Sequence, residues 1–328
     1  PRGLATDQQG NLYVADGGNS RVVQFNDNGT YLGNFAISSP NGVGVDVRSE
    51  QIHVGSFNGG GVQHFGSIVG KNDHVGLYRS STYTFLLRDT NTSGAPFITA
   101  TVALATAADV PIVGDWNGDG IDTPGLYRST TGVFYLWEKW RGLSIATPDH
   151  VFSFGALGDR PVVGDWDGDG KDGIGTFRPS TGALYFKNRI DGASSFDYVV
   201  GFGAVASDIS LAGDWNGDGN ASGGFFRPGN TTFYLANRLG NGSVPVDGTY
   251  GLGGRNDQPF AGDWNHAGFN GLGVYRPSTG SFQLKYDLNA APADLTFSFD
   301  GDLMFRDGFE LSGGGDFALV GQWGNAPE

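Results

Sequence analysis

The stretch VVGDWDGDGKDGIGTFRPSTG, residues 162–182, sets Asp165, Asp167, Asp169 and Asp172 among glycines and between two short apolar runs. Carboxylates this close raise one another's pKa by repulsion, so such a loop is either fully hydrated or gathers a cation. The pattern recurs with Asp115, Asn117 and Asp119, then with Asp214, Asn216 and Asp218, and in weaker form with Asp263 and Asn265, where Ala267 stands at the fifth loop position. Oxygen-bearing side chains at positions one, three and five, followed by Gly, point three ligands inward at a tight bend. That suits calcium, which takes about six to eight hard oxygen ligands. The competing reading needs no ion, because Asp and Asn also cap their own backbone amides in Asx-turns. A helical EF-hand is excluded, since its bidentate Glu at position twelve is here Leu126, Thr176 or Phe225.

The elements that position these loops follow from internal repetition. Trp116, Trp166, Trp215 and Trp264 follow Gly-Asp at intervals of 50, 49 and 49 residues, and Trp323 lies 59 further on. An aromatic-Arg pair keeps the same period at Arg79, Arg128, Arg178, Arg227 and Arg276. Between the markers run short β-type segments joined by RPSTG or RSTTG, in which Pro presets one dihedral and Gly supplies the positive one. Each unit therefore reads as a four-stranded antiparallel meander. A sheet so small buries both faces only by stacking on its neighbours, and about four strands per 40–50 residues is the signature of a propeller blade.

Residues 1–70 carry a different repeat. PRGLATDQQGNLYVADGGNSRVVQF aligns with PNGVGVDVRSEQIHVGSFNGGGVQHF, and both resemble the NHL repeat of β-propellers. From Val75 onward the units resemble FG-GAP or VCBS-type repeats of calcium-binding propellers. Together the resemblances imply an all-β fold in one domain spanning residues 1–328. It would be a seven-bladed β-propeller, with two NHL-like blades in 1–70, five FG-GAP/VCBS-like blades in 71–328, and a ring closed by the C-terminal strand. FALVGQWG matches the first strand of a unit and has no unit after it, so the segment around Val320 is expected to pair with the blade of Leu12–Phe25 and remove two sheet edges.

The FG-GAP pattern places side-chain ligands at positions one, three, five and nine and a carbonyl at seven. Carried over by position, it implies Asp115, Asn117, Asp119 and the Ile121 carbonyl in the first loop. In the second it implies Asp165, Asp167, Asp169 and the Lys171 carbonyl, and in the third Asp214, Asn216 and Asp218. Position nine departs from the pattern, being Thr123 or Gly173, while Asp122 and Asp172 stand at position eight. Either a shifted loop brings those aspartates in or water completes the shell. The third loop has Ala221 and Ser222 where acids would stand.

Composition sets the limits of function. With 57 Gly, 14 Pro and 13% aromatic residues in 328, the chain is turn-rich and able to form a core. A formal charge of −14 argues against nucleic acid or an anionic membrane as partner, and no apolar run is long enough for membrane insertion. Without cysteine there is neither a disulfide nor thiolate chemistry. The opening PRGLATD starts mid-pattern without Met and reads as a mature or excised piece. The recurring Trp residues are expected in the core. The recurring Arg residues are expected near the acidic loops, paired with a carboxylate.

Deviations from the repeat are the places to seek a ligand. Trp137, in FYLWEKWRG, stands where sister units have Lys187, Ala236, Lys285 and Arg88, which implies exposure and makes it a stacking residue for a glycan or protein, or else a Trp covered by its own loop. Trp140 aligns with Ile190, Leu239 and Leu288 and is expected to be buried. The five histidines form no metal-ligand motif, although His53 and His64 fall in one NHL-like unit where they could line a channel. No catalytic constellation stands out. The expected function is a non-catalytic, extracellular or cell-surface, calcium-stabilised binding module of a secreted bacterial protein, acting as a monomer on a glycan or extracellular protein. The alternatives are a structural spacer of a large surface protein or a polysaccharide-active lyase or hydrolase.

Overall fold

The computed structural model describes residues 2–6, 12–25, 29, 31–37, 40–45, 52–56, 62–65, 73–88, 90–140, 144–192, 195–265, 267–289, 291–298 and 316–323. The chain divides into two compact units, Pro1–Lys71 and Asn72–Glu328. Among the described residues all regular structure is β-strand.

In the first unit, β1 (Gly3–Thr6), β2 (Leu12–Asp16), β3 (Arg21–Phe25) and β4 (Tyr31–Ala36) pair antiparallel in chain order, and β5 (Pro40–Val45), β6 (Ile52–Ser56) and β7 (Val62–Phe65) form a second sheet. Tyr13, Val22, Ile37 and Val54 share one buried cluster, joined by Val43 and Val45. A Cβ on Gly3 would stand 2.8 Å from the Gly42 Cα, so only glycine lets β1 come this close to β5. The register sets His53 opposite His64. Their side chains lie outside the described residues.

The second unit holds five sheets. The first contains β8 (His74–Arg79), β9 (Thr84–Leu87) and β10 (Ile98–Val102), and the second contains β11 (Asp109–Gly114), β12 (Thr123–Arg128), β13 (Val133–Leu136) and, after the short β14 (Ser144–Ile145), β15 (His150–Ser153). The third is β16 (Arg160–Gly164), β17 (Gly173–Arg178), β18 (Ala183–Lys187) and β19 (Tyr198–Gly201), and the fourth is β20 (Ile209–Gly213), β21 (Ser222–Arg227), β22 (Thr232–Leu235) and, after β23 (Gly242–Ser243), β24 (Gly248–Gly251). The fifth is β25 (Gln258–Gly262), β26 (Gly271–Arg276), β27 (Ser281–Lys285) and β28 (Leu295–Ser298), and β29 (Asp316–Gly321) is the last of the described strands.

Closure differs from the sequence expectation. β29 pairs with β8, Val320 opposite Val75, and not with the blade of Leu12–Phe25. The segment FGSIVGKND stands where the other units carry the GDW marker, and among the described residues the inner neighbour of β8 is β29. The pairing buries Leu319 in one core cluster and packs Ala318 and Val320 against another. The sheet β1-β2-β3-β4 already has four strands. Along the inner edge of this unit β11 adjoins β16, β16 adjoins β20, β20 adjoins β25, β25 adjoins β29, and β29 adjoins β11. Within this unit the neighbour order returns to its start after five sheets.

Register also places the recurring arginines. Asp109 is opposite Arg128 and Gly114 opposite Thr123, so the acidic loop caps one end of the β11–β12 hairpin and the arginine lies at the other, away from the loop it was expected to approach. There Arg128 Nε donates to Asp109 Oδ1 at 2.7 Å and Nη2 to Oδ2 at 2.8 Å. The same two-point pairing joins Arg178 to Asp159, Arg227 to Asp208 and Arg276 to Asp257. Each of these aspartates is buried and also accepts the amide of the turn residue three positions earlier, so two charges are fully hydrogen-bonded where desolvation would otherwise be costly.

Because β29 completes a sheet from the far end of the chain, a chain ending at Gly315 should lose its cooperative thermal transition, and a synthetic peptide of residues 316–328 added in trans should restore part of it. Calorimetry of the truncated chain with and without peptide checks this; an unchanged transition in the truncated chain would refute the assigned closure.

Candidate functional site

Within each acidic loop, the first aspartate is held by the backbone it caps. Asp165 Oδ1 accepts from the Gly168 and Asp169 amides at 2.8 and 3.2 Å, and Oδ2 from Gly170 at 2.8 Å. Gly168 and Gly170 have φ of 73° and 82°, which is how the chain folds back over one carboxylate. Asp115 and Asp214 are bound in the same way by Gly118, Asp119 and Gly120 and by Gly217, Asp218 and Gly219. The weaker fourth loop keeps the Ala267 and Gly268 amides on Asp263.

The third position separates the loops. Asn117 Nδ2 donates to Asp119 Oδ2 at 3.1 Å and Asn216 Nδ2 to Asp218 Oδ2 at 3.0 Å, so an amide offsets the fifth-position charge. Bonds from the Asn220 amide, then from the Asn216 and Asn220 side chains, hold Asp218 below the usual carboxylate range. Asp167 has no such donor to offer. Asp165, Asp167 and Asp169 bring one carboxylate oxygen each to within 4.8 Å of one another, the one such group among the described residues. Partial desolvation, followed by the charges of Asp169 and Asp165, raises the Asp167 pKa. Asn188, at the end of β18, supplies the donor from outside the loop, Nδ2 to Asp167 Oδ2 at 2.8 Å. A carboxylate has about four lone-pair sites. Three amides on Asp165 thus leave room for one metal bond, and the donor set suits a hard cation.

Asp122 and Asp172 are directed to a neighbouring sheet. The Asp172 amide donates to the Asp115 carbonyl at 2.8 Å while the Asp115 amide donates to Asp172 Oδ2 at 2.9 Å. The pattern repeats around the unit: Asn270 with Asp214, Asp73 with Asp263, and Asp122 with Gln322. At the remaining junction Ala221 gives only the backbone bond, to the Asp165 carbonyl at 2.6 Å. Position eight is therefore a clasp between sheets. Burial is the largest influence on all three of its aspartates, raising Asp73 to about 6, Asp172 to about 7 and Asp122 well above the ordinary value, with repulsion from neighbouring carboxylates in the same direction.

Trp137 is fully buried, among Tyr78, Phe85, Leu126, Trp140 and Ile145, which overturns its reading as an exposed platform. The inference failed because the sister residues are buried too: Arg88, Lys187, Ala236 and Lys285 are each at most 7% exposed. The charges of Arg88, Lys187 and Lys285 are met by loop oxygens instead of water. Trp140 is buried as expected, donating Nε1 to the Asp122 carbonyl at 2.9 Å, and Trp116, Trp166, Trp215, Trp264 and Trp323 are all in the core.

The NHL repeat matches residues 1–25. No curated protein matches the chain by sequence. Similar solved structures include virginiamycin B lyase from Staphylococcus aureus, at 8% identity and TM-score 0.35 over 90% of this chain and 85% of that one. A protein of unknown function from Bacteroides caccae is similar at 9% identity and TM-score 0.38, over 94% and 98%. The repeat and the sheet arrangement together make the fold a β-propeller.

Two outcomes follow from this geometry. Clasp aspartates whose folded-state pKa is raised stabilise most while protonated, so their contribution is complete near pH 4 and is lost as pH rises through about 6 to 7. In chelator, the melting temperature should fall from pH 5 to pH 8. Asp172→Asn, which keeps the acceptor that Asn270 uses naturally, should flatten that fall and raise stability at pH 8; a variant that melts lower at pH 8 contradicts the clasp electrostatics. Separately, Trp137→Ala should cost about 3 kcal/mol or more in denaturant unfolding, as truncations of fully buried Trp do. A cost under about 0.5 kcal/mol would return Trp137 to the surface.

Proposed function

We propose that the chain is a calcium-stabilised β-propeller acting as an extracellular or cell-surface binding module for a glycan or a protein. The observation that carries the metal part is the convergence of Asp165, Asp167 and Asp169 in a loop whose sisters offset the same charge with an asparagine amide. Asp165, Asp167 and Asp169 with the Lys171 carbonyl would hold the ion. Asp115, Asn117, Asp119 and the Ile121 carbonyl form the second candidate set, and Asp214, Asn216 and Asp218 the third. The likeness of the longer repeats to FG-GAP/VCBS units supports the same choice of ion. When bound, calcium supplies charge neutralisation and fixes the loop; no chemistry on a substrate is asked of it.

The module reading is supported by where the recurring polar residues are spent. Arginines are clamped to buried aspartates, position-eight residues clasp neighbouring sheets, and tryptophans fill the core. What varies between units is the loop that joins the third strand to the outer one. A rigid scaffold presenting variable loops is the arrangement binding proteins use.

Calcium that binds the folded state alone stabilises by RT ln(1 + [L]/Kd), about 1.4 kcal/mol per site at 1 mM for a Kd of roughly 10⁻⁴ M. Calcium should therefore raise the melting temperature by a few degrees, chelation should reverse this, and Asp165→Ala should remove part of the rise. An identical melt with calcium and with chelator would reject the metal. Glycan-array and surface-protein binding, each run in calcium and in chelator, then tests the module; polysaccharide cleavage by the purified chain would replace it with an enzyme.

A further inference from the structure

At the end of the third strand of each sheet in residues 72–328, one buried residue faces the loop that leads to the outer strand. In three sheets it is a cation bonded by its own loop. Arg88 Nη1 donates to the Ala95 carbonyl at 2.5 Å, and its other nitrogens reach Thr90, Thr92 and the Ser93 carbonyl. Lys187 Nζ contacts the Ser195 carbonyl at 3.4 Å and Asp191 at 3.0 Å. Lys285 Nζ donates to Asn289 Oδ1 at 2.8 Å and to the Ala291 carbonyl. In the other two sheets the residue is Trp137 or Ala236, each fully buried and with no charge to satisfy.

The loops sort the same way. Those after Trp137 and Ala236 carry β14 and β23, which leave their own sheets and pair parallel with the outer strands of the preceding ones, Val102 with Ile145 and Gly201 with Ser243. Backbone bonds continue the lacing, Ala103 to the Ile145 carbonyl and Val244 to the Gly201 carbonyl, both at 3.0 Å, and Asn241 Oδ1 accepts the Val199 amide at 3.0 Å. Ile145 joins the buried cluster of Trp137, and Val244 packs against that of Ala236. Among the described residues, none of the three loops with a cation forms such a strand. The hinge is common to both kinds, since Asp149, Asp197, Asp247 and Asp294 each accept the amide that opens their loop.

We infer that the residue at this position is a selector between two loop states: a buried Lys or Arg draws the loop onto its own sheet, and an uncharged residue frees it to lace onto the neighbouring sheet. A cation taken out of water requires acceptors, and the nearest are the carbonyls of its own loop. Those carbonyls then have their partner. Where no cation is present, the loop's backbone groups find theirs on the unpaired edge of the adjoining outer strand, where strand addition satisfies donors and acceptors together. The selector thus decides which neighbouring sheets are bonded at their outer edges as well as at the inner clasp, here the sheet of β8 with that of β11 and the sheet of β16 with that of β20.

Amide hydrogen exchange on the full chain tests this, read against the strand amides of β22 and β27 as internal standards. Ala236→Lys should speed exchange at Val199 and Val244 at least tenfold while the melting transition stays cooperative. Should that variant fail to fold, Lys285→Met and Lys285→Arg decide: Met should speed exchange across residues 286–294 at least tenfold, and Arg should restore the wild-type rate. Unchanged protection at Val199 and Val244 in a folded Ala236→Lys chain, or loop exchange in Lys285→Met equal to wild type, overturns the selector.

Discussion

A reciprocal hydrogen-bonded pair across the junction between adjacent sheets is the contact on which the larger unit depends. A four-stranded sheet of this length cannot bury both faces alone, and stacking by apolar side chains is non-directional. The clasp makes it directional. An amide at loop position eight reaches the carbonyl of loop position one on the neighbour, and the side chain at position eight returns the bond, as in Asp172 with Asp115. Asn270 performs this return without charge, and at Ala221 only the backbone half remains. The hydrogen bond is therefore what the junction requires. The negative charge on Asp73, Asp122 and Asp172 is an added burden there, visible in the upward shift that burial imposes on all three.

The two ends of the sheets consequently differ in electrostatic character. At one end, buried aspartates are matched one for one by arginines with planar, two-point geometry, three of them also lying over a tyrosine ring: Arg128 on Tyr135, Arg178 on Tyr185 and Arg227 on Tyr234. At the other, the carboxylates of the acidic loops are held largely by backbone amides and by a few asparagines. There the amides organise each first-position carboxylate without neutralising it. Among the described residues, only where the asparagine at the third position gives way to Asp167 does that organisation leave three carboxylates together.

Much of this was legible in the sequence. The 49–50-residue period of Trp and Arg markers predicted stacked antiparallel meanders, and the alternation of apolar residues with turn chemistry predicted the strands, because both are local properties of the chain. The acidic loops were equally plain, since ligand-type side chains at positions one, three and five need only a tight bend between them. Two inferences failed for a common reason. Lys187, Lys285 and Arg88 read as exposed because charge ordinarily means water, and Asp122 and Asp172 read as ligands of their own loops because they stand beside them in the chain; in each case the partner is an oxygen or amide brought in by folding.

By itself, then, the sequence determined the repeat, the strand and turn chemistry, the composition of each acidic loop and the existence of an orphan C-terminal strand. Tertiary structure alone decided where that strand goes, because the local pattern of β29 matches the first strand of any unit and only folding brings it beside β8. It also decided which polar residues are buried. Burial of a charge depends on whether acceptors converge on it from residues that no short-range pattern connects, and that convergence exists only once the sheets have stacked.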